Sequence, residues 1–198
     1  MAKRKIEKIL IAGDSFSCVW PNREEGWPCL LSNDYNITNI SQAGVGEYKI
    51  FKQIKSINLT DFDLILVSHT SPSRIHTKNH PVHKSGFHKD CDLIYNDLEN
   101  RFSWFNKNLE VSKKWFKFHY DDEYQIDIYK LVREKINSLI NVNYISITHT
   151  DISSSLSFEK NNIDFSDTWK SNRGYVNHYS DHGNKLVYKK IKSEIEKI

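Results

Sequence analysis

Apolar residues in this chain fall into two kinds of run. The first kind is continuous. Residues 6 to 12 (IEKILIA) end in an unbroken apolar stretch that stops at Gly13. Residues 62 to 69 (FDLILVSH) are the strongest such run, and residues 142 to 148 (VNYISIT) form another. Runs of this kind suit strands buried on both faces. Residues 36 to 41 (NITNIS) add a short β-branched strand. The second kind repeats at helical spacing. Residues 46 to 56 place Tyr48, Ile50, Phe51 and Ile54 on one stripe. Residues 123 to 140 do so with Tyr124, Ile128, Leu131, Val132, Ile136 and Leu139. Residues 184 to 197 use Leu186, Val187, Ile191 and Ile195, and residues 26 to 33 also read as helical. Strands that alternate with helices predict right-handed crossovers and a parallel sheet. The expected architecture is an α/β, three-layer α/β/α sandwich, with residues 1–198 as a single domain.

The pattern changes between about 75 and 120. Residues 75 to 90 are rich in His and Lys. Residues 91 to 120 carry Trp104, Phe105, Trp115, Phe116 and Phe118. This stretch is expected to be a helical and loop insertion over one end of the sheet. There is no internal repeat and no low-complexity linker.

Composition narrows the class. Hydrophobic residues make up 38% and charged residues 27%, a globular balance. The formal net charge of +3 is interspersed and does not point to nucleic acid. No apolar run approaches a membrane span, and Ile9 to Ala12 is too short for a signal-peptide core. The cysteines Cys18, Cys29 and Cys91 are odd in number and widely spaced, so no disulfide framework is expected. A cytoplasmic protein is the resulting expectation.

In parallel α/β sheets, ligands sit outside the carboxyl ends of the strands. Four polar features gather there. Ser15, in AGDSFS, follows the first strand and precedes a short helix or turn; it suits a nucleophile or a helix cap. Gly44, in NISQAG, follows the second strand and can turn a backbone N–H toward a substrate oxygen. SHTSPSR, residues 68 to 74, ends the strongest strand with Thr70, Ser71, Ser73 and Arg74. A histidine, His178 or His182, precedes the last helix in NHYSDHGNKLVYKKI, within potential reach of Ser15 as general base.

Taken together, these four pieces resemble the blocks of the SGNH (GDSL-like) hydrolase family, over most of the chain outside 75 to 120. AGDSFS is similar to the first block, which makes Ser15 the nucleophile. Asn39 and Gly44 match the second block. His178 and Gly183 match the spacing of the last, which selects His178 over His182. The resemblance implies the flavodoxin-like SGNH hydrolase fold. It also implies an oxyanion hole formed by the N–H groups of Ser15 and Gly44. The family's third block is usually Gly-x-Asn-Asp; SHTS stands here, so Thr70 replaces the asparagine as third donor. Tyr175 stands where the family has an aspartate. The orienting partner is then a backbone carbonyl or another acid: Asp181, Asp164 or Asp167.

The resemblance implies a serine esterase that hydrolyses an O-acyl ester, such as an O-acetyl ester, of a carbohydrate or other small molecule. It would do so through a Ser–His dyad or triad. The alternatives are a catalytically degenerate binding protein of the same fold, or an acyltransferase using the same site. The expected partner is a small-molecule ester substrate, with no nucleic acid and no membrane span; oligomeric state is left open. No cofactor and no metal is assigned. His80, His83, His88 and Cys91 have a spacing that can bind zinc, or they form a basic mouth for anionic substrates. The aromatic stretch from 102 to 120 suits a helical hairpin with its own small core, or a lid. Trp20 and Trp27 are candidates for the entrance wall. A nucleotide site is disfavoured, because no glycine-rich phosphate motif is present.

Overall fold

A computed structural model describes residues 5–21, 26–99 and 106–198, with the Val176 side chain excepted. Five strands form the sheet: β1 (Lys8–Gly13), β2 (Asn36–Asn39), β3 (Leu64–Ser68), β4 (Asn143–Thr148) and β5 (Asn162–Asp164). Their order is β2-β1-β3-β4-β5, and every pairing is parallel. The chain is thus an α/β protein with a central parallel sheet in the flavodoxin-like order. Eight α-helices lie among the described residues: α1 (Trp27–Leu31), α2 (Glu47–Lys55), α3 (Asn96–Glu99), α4 (Lys107–His119), α5 (Asp122–Leu139), α6 (Asp151–Ser155), α7 (Ser166–Ser171) and α8 (Asp181–Ile195).

Alternation along each strand divides the core in two. Ile9, Ile11, Leu64, Leu66, Ile145 and Ile147 face α1 and α8, where Trp27, Leu31, Val187, Ile191 and Ile195 meet them. Leu10, Ala12, Ile65 and Val67 face α2 and α5, against Ile50, Ile54 and Ile136. Each fully buried Leu or Ile contributes roughly 1.5–3 kcal/mol of transfer free energy. These two layers of helices fix the sheet, and the sheet fixes where its strand ends point.

Several elements differ from the sequence reading. β5 has no apolar run to announce it; only Ile163 of its three residues is buried, paired with Ile147. On α5, Leu131 is 58% exposed, while Tyr129 and Arg133 face inward. The apolar stripe is rotated because this helix delivers two polar side chains, one turn apart, into a buried network. Trp27 lies in the core rather than at an entrance, and its Nε1–H donates to the Phe16 carbonyl at 2.7 Å.

The insertion has a small core of Leu93, Leu98, Leu109 and Phe116, with Trp115 and Tyr120 packed against it. Phe118 is exposed. Trp104 and Phe105 lie outside the described residues. Asp92 ties the insertion to the sheet by accepting from the Gly46 N–H at 2.7 Å and the Thr77 N–H at 2.9 Å. Among the described residues, no helix is long and apolar enough to cross a membrane.

Candidate active site

The site is built where β1, β2, β3 and β4 end. After Gly13 the chain turns at once: the N–H groups of Ser17 and Cys18 both donate to the Asp14 carbonyl, at 3.2 and 3.1 Å. Among the described residues no α-helix starts before Trp27, and Ser15 lies in a turn. It is nearly buried, 6% exposed. Its carbonyl accepts from Trp20 Nε1–H at 3.1 Å.

The neighbouring strand end is fastened to this turn. Asn39 Nδ2 donates to the Ser17 carbonyl at 2.8 Å, and the Gln42 N–H donates to the Gly13 carbonyl at 3.1 Å. That pairing sets Gly44 alongside. Gly44 has φ +72°, and a Cβ there would lie 2.7 Å from the Cys91 Cβ, so only glycine fits. Among the described contacts, neither the Ser15 N–H nor the Gly44 N–H donates to a protein group. Both residues are buried.

Asp14 points inward. Its Oδ1 accepts from the Phe16 N–H at 3.0 Å. Burial pushes its carboxyl up to about 6, against the opposing pull of Arg74, the Phe16 N–H and the Thr70 hydroxyl. Thr70 is buried and engaged on all sides. Its hydroxyl accepts from Arg74 Nε–H at 3.2 Å. Its N–H donates to Glu47 Oε2 at 3.3 Å, and its carbonyl accepts from the Tyr129 hydroxyl at 3.0 Å.

His178 reaches the same place from the loop between α7 and α8. Asn177, with φ 60°, turns the chain just before it. The Gly174 N–H donates to the His178 carbonyl, and the Ser180 N–H donates to the Asn172 carbonyl at 2.8 Å. A Cβ on Gly174 would lie 2.6 Å from the Tyr179 carbonyl oxygen, which explains the glycine. The His178 ring rests against Phe16 and Trp20, with centroids 5.1 and 4.8 Å away. His182 is exposed in the first turn of α8. Ser180 caps that helix by accepting from the Gly183 N–H at 3.2 Å, and Asp181 is exposed beside it. Asp164 is engaged by the Ser166 N–H and hydroxyl, and the Asp167 side chain is 97% exposed. Tyr175 is 77% exposed.

Sequence reasoning missed a second layer. His149, just past β4, is fully buried between two partners: Nε2 lies 2.8 Å from Ser68 Oγ and Nδ1 2.8 Å from the Tyr179 hydroxyl. Burial, aided by the nearby His178 and His69, pushes its pKa down to about 3, so the ring is neutral. On the other side of the sheet, His69 Nδ1 lies 2.6 Å from Glu47 Oε1, and its Nε2 lies 3.1 Å from the Tyr144 hydroxyl. Arg133 completes that network. It donates through Nε to Glu159 at 2.9 Å and through its guanidinium to the Tyr129 hydroxyl at 3.1 Å. The signal was present in the sequence. Ser68-His69-Thr70 and Thr148-His149-Thr150 repeat the same polar ending on two buried strands.

The insertion adds a rim. Phe87 and His88 pack on Trp20, at 5.0 and 5.8 Å between centroids. Behind them, His80, His83 and Cys91 each place a ligand atom within 4.8 Å of one another. His80 Nδ1 accepts from the N–H groups of Val82 and His83, at 3.1 and 3.0 Å. The proton of the neutral ring therefore sits on Nε2, which faces Asp97 Oδ2 at 3.3 Å. A metal at Nε2 would have to displace that proton while Nδ1 stayed bare, an unfavourable anionic ring. Burial also pushes the Cys91 thiol up to about 11.

No family model matches this chain, and no curated protein matches it. Among solved structures, it is similar to the extracellular lipase from Streptomyces rimosus over 73% of its length, at 9% sequence identity and a TM-score of 0.32. The chain spans 59% of that lipase.

Proposed function

We propose that the protein is a serine esterase of the SGNH type, acting on an O-acyl ester of a small molecule. The observation that supports this reading is that the N–H groups of Ser15 and Gly44, past the ends of adjacent strands, donate to no protein group among the described contacts, at a turn that carries a nearly buried serine. Donors placed before the reaction, where negative charge will develop, stabilise a tetrahedral oxyanion. In this reading Ser15 Oγ attacks the ester carbonyl and His178 takes its proton. The oxyanion receives hydrogen bonds from Ser15 N–H, Gly44 N–H and the Thr70 hydroxyl. His178 then protonates the leaving alcohol and activates water for deacylation. The same acyl-enzyme could pass to another alcohol, which would make the protein an acyltransferase.

Hydrolysis of a p-nitrophenyl ester series tests this. Turnover is expected for short acyl chains, and is expected to disappear in Ser15→Ala and to fall to a small residual rate in His178→Ala. Turnover equal in wild type and both variants would refute the esterase reading and favour a binding protein on the same fold.

A further inference from the structure

We propose that the nucleophile turn carries its own clamp for the base. Phe16 and Trp20 hold the His178 imidazole in its working orientation, the task that a carboxylate performs in a Ser–His–Asp triad. This rests on the esterase reading above. The two rings meet His178 at different angles, with interplanar values of 49° for Phe16 and 65° for Trp20. Two contacts on one planar ring restrict both its position and its tilt.

Each jaw is itself fixed. Trp20 is tied through Nε1–H to the carbonyl of Ser15, so the nucleophile and one jaw share a hydrogen bond. Phe16 is tied through its N–H to Asp14. The Phe16 ring stacks on His149 at 4.5 Å with an interplanar angle of 7°. His149 in turn is pinned at both nitrogens, to Ser68 on β3 and to Tyr179. Tyr179 follows His178 directly in the chain. One buried imidazole therefore supports the jaw beneath the base and anchors the loop that delivers the base. Its neutrality matters: His178 becomes positive during the reaction, and a second cation beneath Phe16 would oppose that step.

A double-mutant cycle tests the clamp on the full-length chain, with p-nitrophenyl acetate as substrate. Trp20→Leu, Trp20→Phe and Phe16→Leu are each made alone and in the His178→Ala background. Thermal unfolding checks that each variant is folded. In the wild-type background, Trp20→Leu and Phe16→Leu are expected to lower kcat by roughly 10- to 100-fold, as misplacement of a catalytic group does. KM should change less than about threefold, and Trp20→Phe should recover most of the loss because an aromatic jaw remains. In the His178→Ala background the same substitutions are expected to change the residual rate by less than about twofold, because the clamp acts through the base. Equal losses in both backgrounds would overturn the proposal, and so would a change in KM alone; both would mark Trp20 as a substrate wall. Full kcat in Trp20→Leu and Phe16→Leu, with His178→Ala strongly impaired, would overturn the clamp and leave the esterase reading standing. A wild-type rate that His178→Ala does not lower would overturn both.

Discussion

Asp14→Asn is a substitution beside the proposed nucleophile that should raise stability, and only above a certain pH. Asp14 is buried, and its carboxyl titrates near 6 instead of 3.8. Between those values the folded protein holds a proton that the unfolded chain has released. Stability therefore falls as pH rises through this window and is level above it. At roughly 1.4 kcal/mol per tenfold in protonation equilibrium, the full effect is about 3 kcal/mol. About 2 kcal/mol of it falls between pH 4.5 and pH 8. Asparagine removes the titration, while its Oδ1 can still accept from the Phe16 N–H. Arg74 loses a counter-charge, but it is only half-buried and keeps the Gly44 carbonyl and Thr70 as acceptors. Urea unfolding of both proteins at about pH 4.5 and pH 8 provides the test. The stability difference, variant minus wild type, should grow by about 2 kcal/mol in the variant's favour, or roughly 4–8 °C in Tm. Every other titrating group is common to the two proteins and cancels. A difference that stays constant over this range, or moves the other way, would refute the burial argument for Asp14.

Three further outcomes follow from the geometry. Glu159→Ala strands the buried Arg133 guanidinium and should destabilise the fold by about 3–5 kcal/mol in urea melts. The paired replacement Arg133→Met with Glu159→Leu should restore much of that. Gly44→Ala meets both a left-handed backbone and the Cys91 Cβ. It should lose roughly 1–3 kcal/mol of stability in thermal melts, and esterase kcat should fall as the N–H shifts. Thr70→Val should lower kcat by about 10²–10³-fold if its hydroxyl serves the oxyanion, with Thr70→Ser close to wild type in the same assay.

Much of the frame was legible because burial on two faces writes an unmistakable pattern. The runs through β1, β3 and β4 could hardly be anything but interior strands, and the stripes on α2 and α8 pointed to the sheet. What escaped was polar. A stripe drawn through Leu131 and Ile128 treats Arg133 and Tyr129 as solvent-facing. Their burial depends on Glu159, Ser146 and Thr70, which arrive from distant parts of the chain. β5 escaped because an edge strand of three residues has only one position to bury. At the site, spacing put Ser15 after β1, Gly44 after β2 and His178 in the loop before α8, and the elements lie in that order. It did not show that Phe16, Trp20 and His149 stand around the base, since ring contacts of this kind leave no periodic trace. Trp27 shows the converse: an aromatic residue near the serine in sequence can belong wholly to the core.

In the proposed reaction Ser15 is a nucleophile activated by His178. Incubation with a fluorophosphonate probe, followed by intact-mass and peptide mapping, tests it most directly. One covalent adduct per chain is expected, located on Ser15, absent in Ser15→Ala and formed far more slowly in His178→Ala. No adduct on the folded wild-type protein, or an adduct that persists in Ser15→Ala, would contradict it.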